Sequence, residues 1–380
     1  MTKIYLIRHG EAEGNLYRLW QGQWDGRITP MGYKQIDALA ERFRDIPIDA
    51  LYSSDLRRAS TTAGAITKYH QLKLNTTPRL REINCGPWEG LPFGNVERDF
   101  PVEMGYFNND PDKWLVAGAE TFIQCRQRVF SALTDIAREN DGKTVAVVSH
   151  GMAIRTVLAH ILGISSENIR TLPHGDNTSV SLLNYDDGKF SVEYYNDNSH
   201  LPVEISTFAK QTWWREDNKA DRFNLRDEPL NVKKEGKLYS QCYADSWRAA
   251  HGSETGFVAA PYLSSAASHS AADPRAVLKI YSGEDFAGVL DLDPLRGAHA
   301  RYGWITLLYL RPEFRGHGLA SQLLGRAVCY YEERGMRSLR LHVASDNKNA
   351  LEFYRKSGFE AINVESGMIS DLLLMEKSLV

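Results

Sequence analysis

Two short apolar runs rich in β-forming residues, Lys3 to Ile7 and Thr144 to Val148, each stop abruptly at a polar turn in which a histidine precedes a glycine. The turns read Arg8-His9-Gly10-Glu11 and Ser149-His150-Gly151. Continuous apolar runs of this length suit buried parallel strands that deliver polar residues to a loop. Strand-like pieces also stand near Asp49 to Ser53 and Val180 to Tyr185. Between them the period changes. Thr29-Pro30 reads as an N-cap and first helical residue, and Ile36, Leu39, Ala40 and Phe43 then recur at helical spacing. Further helical patterns cover Leu56 to Tyr69, Thr121 to Ala137 and Met152 to Leu162. Alternating strands and helices predict an α/β sheet with its chemistry at the carboxyl ends of the strands.

The pattern fails between about Asn196 and Glu235, a polar stretch with Pro202, Pro229 and the pair Trp213-Trp214. Residues 199–235 are therefore expected to join domains at 1–198 and 236–380, with the tryptophans packed between them. Beyond it a helical piece spans Tyr239 to Ala250, and the Ala/Ser stretch Ser264 to Ala272 reads as a mobile loop. Strand patterns follow at Ala276 to Tyr281, Phe286 to Leu292 and Trp304 to Leu310. They lead to a helix from about Gly318 to Arg334, a strand at Ser338 to Val343 and a helix at Asn347 to Ser357. No internal repeat is visible.

Composition fits this two-domain reading: 380 residues exceed what one core normally organises, with 43% hydrophobic and 24% charged positions inside the globular range. Lys+Arg number 45 against 48 Asp+Glu, a formal charge of −3 that offers no basic excess for a nucleic-acid backbone. Cys85, Cys125, Cys242 and Cys329 are scattered without a Cys-x-x-Cys, as expected of a reducing cytoplasm. The amino terminus is broken at once by Arg8, too early for an export signal, and no apolar run approaches the ~20 residues that span a bilayer.

An Arg-His pair at one strand end, a second histidine on another strand, an arginine on a helix and a nearby carboxylate can together hold a phosphoryl group. Neutral imidazole is a competent nucleophile near pH 7, and a phosphohistidine would split one displacement into two. Arginine forks would meet the charge on the equatorial oxygens, and a carboxylic acid would protonate the leaving alcohol. These residues resemble the signature of the histidine phosphatase, or phosphoglycerate mutase-like, superfamily. Arg8-His9-Gly10-Glu11 is followed in order by Asn15, Gln21-Gly22, Ser53-Ser54-Asp55-Leu56-Arg57-Arg58-Ala59, Leu80-Arg81-Glu82, Gly86-Pro87-Trp88-Glu89-Gly90 and Ser149-His150-Gly151.

The resemblance covers roughly the first 195 residues and implies a three-layer α/β/α domain. It makes His9 the nucleophile, Arg8, Arg58 and His150 the phosphate pocket, and Glu82 the proton donor, with Asn15, Gln21 and Gly22 lining the phosphate side. It favours Arg58 over Arg57, which becomes a solvated helix residue, and leaves Glu11 and Glu89 as supporting residues. The short link from Glu82 to Trp88-Glu89-Gly90 looks more like cofactor-independent small-molecule phosphatases, including α-ribazole phosphatase-like proteins, than like mutases. No metal is implied, and the 11 histidines show no His-x-x-x-His spacing.

A second constellation lies at Tyr309-Leu310-Arg311-Pro312-Glu313-Phe314, which ends a strand, and Arg315-Gly316-His317-Gly318-Leu319-Ala320, which opens a helix. Glycines there let backbone N–H groups approach an anion, and the helix start adds its positive dipole end. With Leu323-Leu324 and Asn347-x-x-Ala350-x-x-Phe353-Tyr354-x-x-x-Gly358-Phe359, the segment resembles the GCN5-related N-acetyltransferase (GNAT) family over about residues 236–380. That resemblance implies an α+β domain with a mixed sheet and acetyl-CoA as acyl donor. Leu308 to Leu310 would pair with the pantetheine arm, Arg315 to Ala320 would hold the pyrophosphate, Asn347 the arm, and Tyr354 would protonate the departing thiolate. Tyr354 could instead be a core aromatic beside Phe353, and Asn347 could cap its helix. Glu284, Asp285, Asp291 and Asp293 are candidate bases by position, with water as the alternative. The acceptor pocket falls to Tyr239 to His251 and the Ala/Ser stretch.

The expectation is thus a bifunctional cytoplasmic enzyme that hydrolyses a small-molecule phosphate monoester and acetylates a small-molecule amine. It needs no cofactor for the first activity and no nucleic-acid or membrane partner, and homo-oligomerisation is left open. A phosphate-retaining mutase, and a phosphatase regulated by a non-catalytic acetyl-CoA-binding module, are the alternatives.

Overall fold

The structure, a computed structural model, describes residues 1–210 and 224–380. They form two compact units. One comprises Met1–Leu91 and the described residues 96–210, the other Pro92–Asn95 and the described residues 224–380. Trp213 and Trp214, expected to pack between domains, lie outside the described residues.

The first part of the chain runs β1 (Thr2–Arg8), α1 (Glu13–Tyr17), α2 (Pro30–Phe43), β2 (Ala50–Ser54), α3 (Arg57–Thr67), β3 (Leu74–Thr77), α4 (Phe93–Asp99), α5 (Pro101–Asn109) and α6 (Phe122–Glu139). It continues with β4 (Thr144–Ser149), α7 (Gly151–Ile161), β5 (Val180–Asp186), β6 (Lys189–Asp197) and α8 (Thr207–Lys210). Its sheet has the order β3-β2-β4-β1-β5-β6. β3, β2, β4 and β1 are mutually parallel and β5 and β6 antiparallel. β1 and β4 pair from Lys3↔Thr144 to Arg8↔Ser149, so the histidine that follows each strand emerges beside the other. Val145 to Val148 are fully buried, as a strand covered on both faces requires. Thr29 caps α2, its hydroxyl accepting from Gly32 N at 3.0 Å, and Thr121 with Gln124 forms a capping box on α6.

The second unit holds β7 (Leu225–Pro229), α9 (Val232–His251), α10 (Ala259–Ala272), β8 (Val277–Ser282), β9 (Asp285–Asp293), β10 (Tyr302–Leu310), α11 (Ala320–Glu332), β11 (Ser338–Ala344), α12 (Lys348–Lys356), β12 (Glu360–Glu365) and β13 (Leu372–Ser378). The sheet order is β12-β13-β11-β10-β9-β8-β7, mixed because β10 and β11 alone are parallel neighbours.

Two sequence expectations are corrected here. Ser264 to Ala272 is not a loop but the body of α10: alanine has the highest helix propensity, no glycine interrupts the run, and Ala266 and His269 are buried. The expected linker 199–235 contains β7 and the start of α9. Leu-Arg-Asp-Glu-Pro shows no apolar alternation, and it is held as an edge strand by pairing with β8 from Leu225↔Ser282 to Pro229↔Leu278.

An aromatic cluster braces the loop that carries the candidate carboxylate. Trp88, fully buried, sits 4.8 Å from Trp20 and 5.2 Å from Trp114 by ring centroids, with Phe107 and Phe122 completing the cluster. Trp88→Ala is expected to cost about 3–5 kcal/mol, read as a lower chemical-unfolding midpoint of the full chain. An unchanged midpoint would mean that the cluster is not a stabilising core.

Candidate functional site

His9 follows β1 with its ring Nδ1 2.7 Å from Gly10 O, a contact that only an Nδ1–H tautomer satisfies, so the lone pair stands on Nε2. Its backbone is fixed as firmly: His9 N donates to Ser149 O, and His9 O accepts from Thr178 N and from Asn177 Nδ2 at 3.0 Å. His150 N-caps α7, and the two rings lie 5.2 Å apart.

Arg58, from the first turn of α3, is fully buried, its guanidinium donating to Trp24 O at 2.8 Å and to Gly22 O at 2.6 Å. Gly22 is required for this: its φ is +48°, and a Cβ would lie 2.3 Å from Glu89 Oε1. Arg57, by contrast, is exposed and pairs with Asp25. Arg8 donates through Nη1 to Gly175 O. Arg8 Nε, Arg58 Nε, Gln21 Oε1 and both ring nitrogens of His150 are buried with no hydrogen-bond partner. The unmatched Nε–H groups of Arg8 and Arg58 and the one N–H of the His150 ring suit an anion such as a phosphoryl group, whereas Gln21 Oε1 is an acceptor.

Glu82 stands at the start of α7, its carboxylate accepting from Met152 N at 3.0 Å and from Ala153 N at 2.8 Å. Its field reaches both Arg58 and Arg8. The structure therefore brings Arg8, His9, Arg58, Glu82 and His150 together. Asn15 is committed locally, its Oδ1 accepting from Ala12 N at 3.0 Å. Glu11 and Glu89 do supporting work: Glu11 accepts from Thr29 Oγ1 at 2.7 Å, and Glu89 Oε1 accepts from Gln23 N and Cys85 N, each at 2.9 Å.

Burial, followed by the fields of Arg58 and Arg8, holds His9 well below the ordinary imidazole range. Burial and Arg58 do the same to His150. Burial also brings Arg58 down to about 10, which leaves it charged at neutral pH. His174 was missed by sequence reading because it lies in no motif. Its Nε2 is 2.9 Å from Arg155 Nη1, and burial, Arg155 and Arg8 keep it neutral.

In the second unit, β10 pairs with β11 only from Tyr302↔Ser338 to Trp304↔Arg340, after which the strands part. A bulge between Ile305 and Leu307 marks the divergence, and Leu308 to Leu310 remain paired with β9 alone. The turn beyond β10 holds Gly316 at φ +82° and Gly318 at +74°, with no atom within 4 Å of where a Cβ would stand. Arg315 Nε donates to Leu310 O at 2.8 Å, His317 is exposed, and α11 opens from Leu319-Ala320 with no side-chain cap. This open cradle at an uncapped helix start, beside a parted strand edge, fits a pyrophosphate and its extended arm.

Asn347 caps α12, accepting from Ala350 N at 3.1 Å. Tyr354 is buried against Phe359 at 5.3 Å, and burial raises its phenol. Among the candidate bases, Glu284 is 96% exposed and pairs with Arg226. Asp291 is fully buried, with one oxygen on Tyr239 Oη at 2.6 Å and the other 2.7 Å from His269 Nδ1, so both its oxygens are taken. Asp293 approaches the opposite face of the same imidazole, 3.3 Å from His269 Nε2.

Residues 4–198 match the family model of the histidine phosphatase superfamily (branch 1). The chain belongs to the histidine phosphatase superfamily. Residues 237–359 match the acetyltransferase (GNAT) family, whose members typically use acetyl-CoA as acyl donor. A "Metal-independent phosphoserine phosphatase" of Arabidopsis thaliana is 34% identical over 205 residues, covering 53% of this chain and 84% of that protein. A "Probable phosphoglycerate mutase GpmB" of Yersinia pestis is 31% identical over 208 residues, with 53% and 96% covered. The solved structure "Bacillus stearothermophilus YhfR" aligns at TM-score 0.51 and 30% identity, over 53% of this chain and 99% of that one. A histidine phosphatase domain of phosphatase or mutase type and a GNAT domain therefore share one chain. Among the described residues, no helix is long and apolar enough to cross a membrane, and no three His, Cys, Asp or Glu side chains are grouped to hold a metal ion.

The depressed imidazoles give a signed pH dependence. Below about pH 6.5 the unfolded chain takes up protons that buried His9 and His150 and half-buried His174 refuse, so stability falls as the solution is acidified through that range. The melting temperature should be lower at pH 5.5 than at 7.5, and His174→Gln should flatten that slope. For turnover, the acid limb of kcat/KM governed by His9 should have its midpoint below 6.5. A midpoint at or above that value contradicts the buried neutral nucleophile.

Proposed function

We propose that the first unit hydrolyses a small-molecule phosphate monoester through a phosphohistidine on His9. The observation that carries this reading is the tautomer-fixed, neutral His9 beside Arg8, Arg58 and His150, of which Arg8 Nε, Arg58 Nε and the His150 ring nitrogens have no partner among the described residues. Nε2 attacks phosphorus as the phosphorus–oxygen ester bond breaks, and Glu82 in its acid form gives the leaving alkoxide its proton. Water, losing a proton to the Glu82 carboxylate, then attacks phosphorus as the phosphorus–nitrogen bond to His9 breaks, releasing phosphate and restoring both residues. Arg8, Arg58 and His150 hold the equatorial oxygens throughout.

The second unit is proposed to acetylate a primary amine. Acetyl-CoA, when bound, supplies the activated acetyl group, so that a nitrogen–carbon bond forms as the carbon–sulfur bond breaks. The chain's own part is to seat the pyrophosphate on Arg315 to Ala320 and the arm along Leu308 to Leu310 and Asn347. Tyr354, its proton retained by burial, would give it to the leaving sulfur, while the proton the amine nitrogen sheds passes to water, from which the phenol is restored. Phosphoserine, named for the Arabidopsis relative, carries both a phosphate ester and an amine, and a compound of that kind is the preferred substrate class.

Phosphate release from a panel of monoesters should survive EDTA and fall by about a thousandfold or more in His9→Ala. Release that depends on a metal or persists in the variant overturns the assignment. Label exchange between phosphoenzyme and product without net release would instead establish the mutase reading, which the Yersinia relative keeps in view. For acetyl transfer, Tyr354→Phe should lower kcat by about a hundredfold at unchanged KM for acetyl-CoA. An unchanged kcat would return Tyr354 to a packing role.

A further inference from the structure

We propose that Gln35 is a positioning residue for the nucleophile: through the peptide group between Gly10 and Glu11 it fixes the ring tautomer of His9 that leaves Nε2 free to attack phosphorus. This rests on the phosphohistidine reading above, and it adds to that site a side chain from α2 that acts through the backbone.

Beyond Arg8 the chain has left the sheet, and its N–H groups must find other partners. His9 N still reaches Ser149 O, but the N–H groups that follow go to side chains: Gly10 N to Thr62 Oγ1 at 2.9 Å, Glu11 N to Gln35 Oε1 at 2.7 Å and Ala12 N to Asn15 Oδ1 at 3.0 Å. The bond from Glu11 is the one that bears on the imidazole. Gly10 O and Glu11 N belong to one peptide group, planar and trans, so pinning its N–H end sets where its carbonyl end points. That carbonyl lies 2.7 Å from His9 Nδ1. With Glu11 N–H donating to Gln35, the carbonyl is also polarised into a better acceptor for Nδ1–H. The proton is thereby held on Nδ1 and the lone pair on Nε2.

Gln35 is itself held so that one orientation of its amide is satisfied. It is fully buried, and its Nε2 donates to Ile205 O at 2.8 Å and to Thr207 Oγ1 at 2.9 Å. A carbonyl cannot donate, so the amide nitrogen must face Ile205, and the amide oxygen is left to Glu11 N. A close approach of α2 makes this reach possible. Gly32, one turn before Gln35, has no room for a Cβ, which would stand 2.1 Å from Glu11 O, and that oxygen accepts from Thr29 N at 3.0 Å. Ser206, between the two acceptors of Nε2, donates to Asp176 Oδ2 at 2.6 Å. Asp176 precedes Asn177, whose Nδ2 donates to His9 O, so the segment that holds Gln35 is anchored beside the one that holds the backbone of His9.

The test uses the full-length chain and reads the ring nitrogens of His9 by NMR of protein labelled in histidine, the His9 signals being those lost in His9→Ala. Near neutral pH the wild type should carry its proton on Nδ1. Gln35→Met keeps the volume and removes both the acceptor and the donor. It should give a mixture of tautomers and lower kcat by about tenfold or more, with KM moved by less than about threefold. Turnover is read as phosphate released from O-phospho-L-serine or p-nitrophenyl phosphate, whichever the wild type hydrolyses faster. Thr207→Val, which removes one acceptor of Gln35 Nε2, should act in the same direction by about threefold, and it decides the matter should Gln35→Met fail to fold. A wild-type His9 protonated on Nε2 overturns the proposal, as does a tautomer that the variants leave unchanged, or a loss of kcat without a change of tautomer, which would make Gln35 a packing residue. Release that survives His9→Ala overturns the phosphohistidine reading, and the role of Gln35 with it, even where the tautomer responds. A tautomer that does not respond, with release lost in His9→Ala, overturns the role of Gln35 alone.

Discussion

Everything in the first unit turns on burying two guanidinium groups beside two imidazoles. Arg58 is fully buried and Arg8 half-buried, and neither meets a carboxylate at ion-pair distance among the described residues. Charges taken out of water in this way are costly unless something meets them. Backbone carbonyls of Gly22, Trp24 and Gly175 meet part of the demand, and they fix where the forks point. Arg8 Nε and Arg58 Nε are left without a partner among the described residues. Burial, and after it the fields of these same guanidinium groups, keep His9 and His150 neutral, so one arrangement both readies the nucleophile and prepares for the charge of its substrate.

The sheet makes that arrangement affordable. β1 and β4 are adjacent and in register at Arg8↔Ser149, so both histidines leave at the same level. α7 starts directly after His150, and its first free N–H groups take the Glu82 carboxylate. A strand end, a helix start and an aromatic brace under Trp88 thereby converge on one point. In the second unit the corresponding constraint is a failure to pair: β10 and β11 share three residue pairs and then separate, leaving backbone available where a continuous sheet would consume it.

Much of this was legible in the chain. Arg8-His9-Gly10, Arg58-Ala59, Glu82 and Ser149-His150-Gly151 could be named because they sit in compact motifs at strand ends, and Gly316 and Gly318 because few residues other than glycine tolerate such a turn. What escaped lacks a local signature. β7 is a charged edge strand whose identity comes from its neighbour β8, and α10 disguises a helix in serine and alanine. His174 matters only through Arg8 and Arg155, which are far from it in sequence. Asp291, a candidate base by position, is clasped instead by His269 and Tyr239 from two different helices.

By itself the sequence determined the two-part α/β organisation, the families its motifs resemble and the residue types available for phosphoryl and acetyl chemistry, because these depend on local period and spacing. Tertiary structure alone decided which strands lie side by side, which nitrogen of His9 carries its proton and which carboxylates are already engaged. Those outcomes depend on burial and on distances between residues remote in the chain, and pattern along a sequence contains neither.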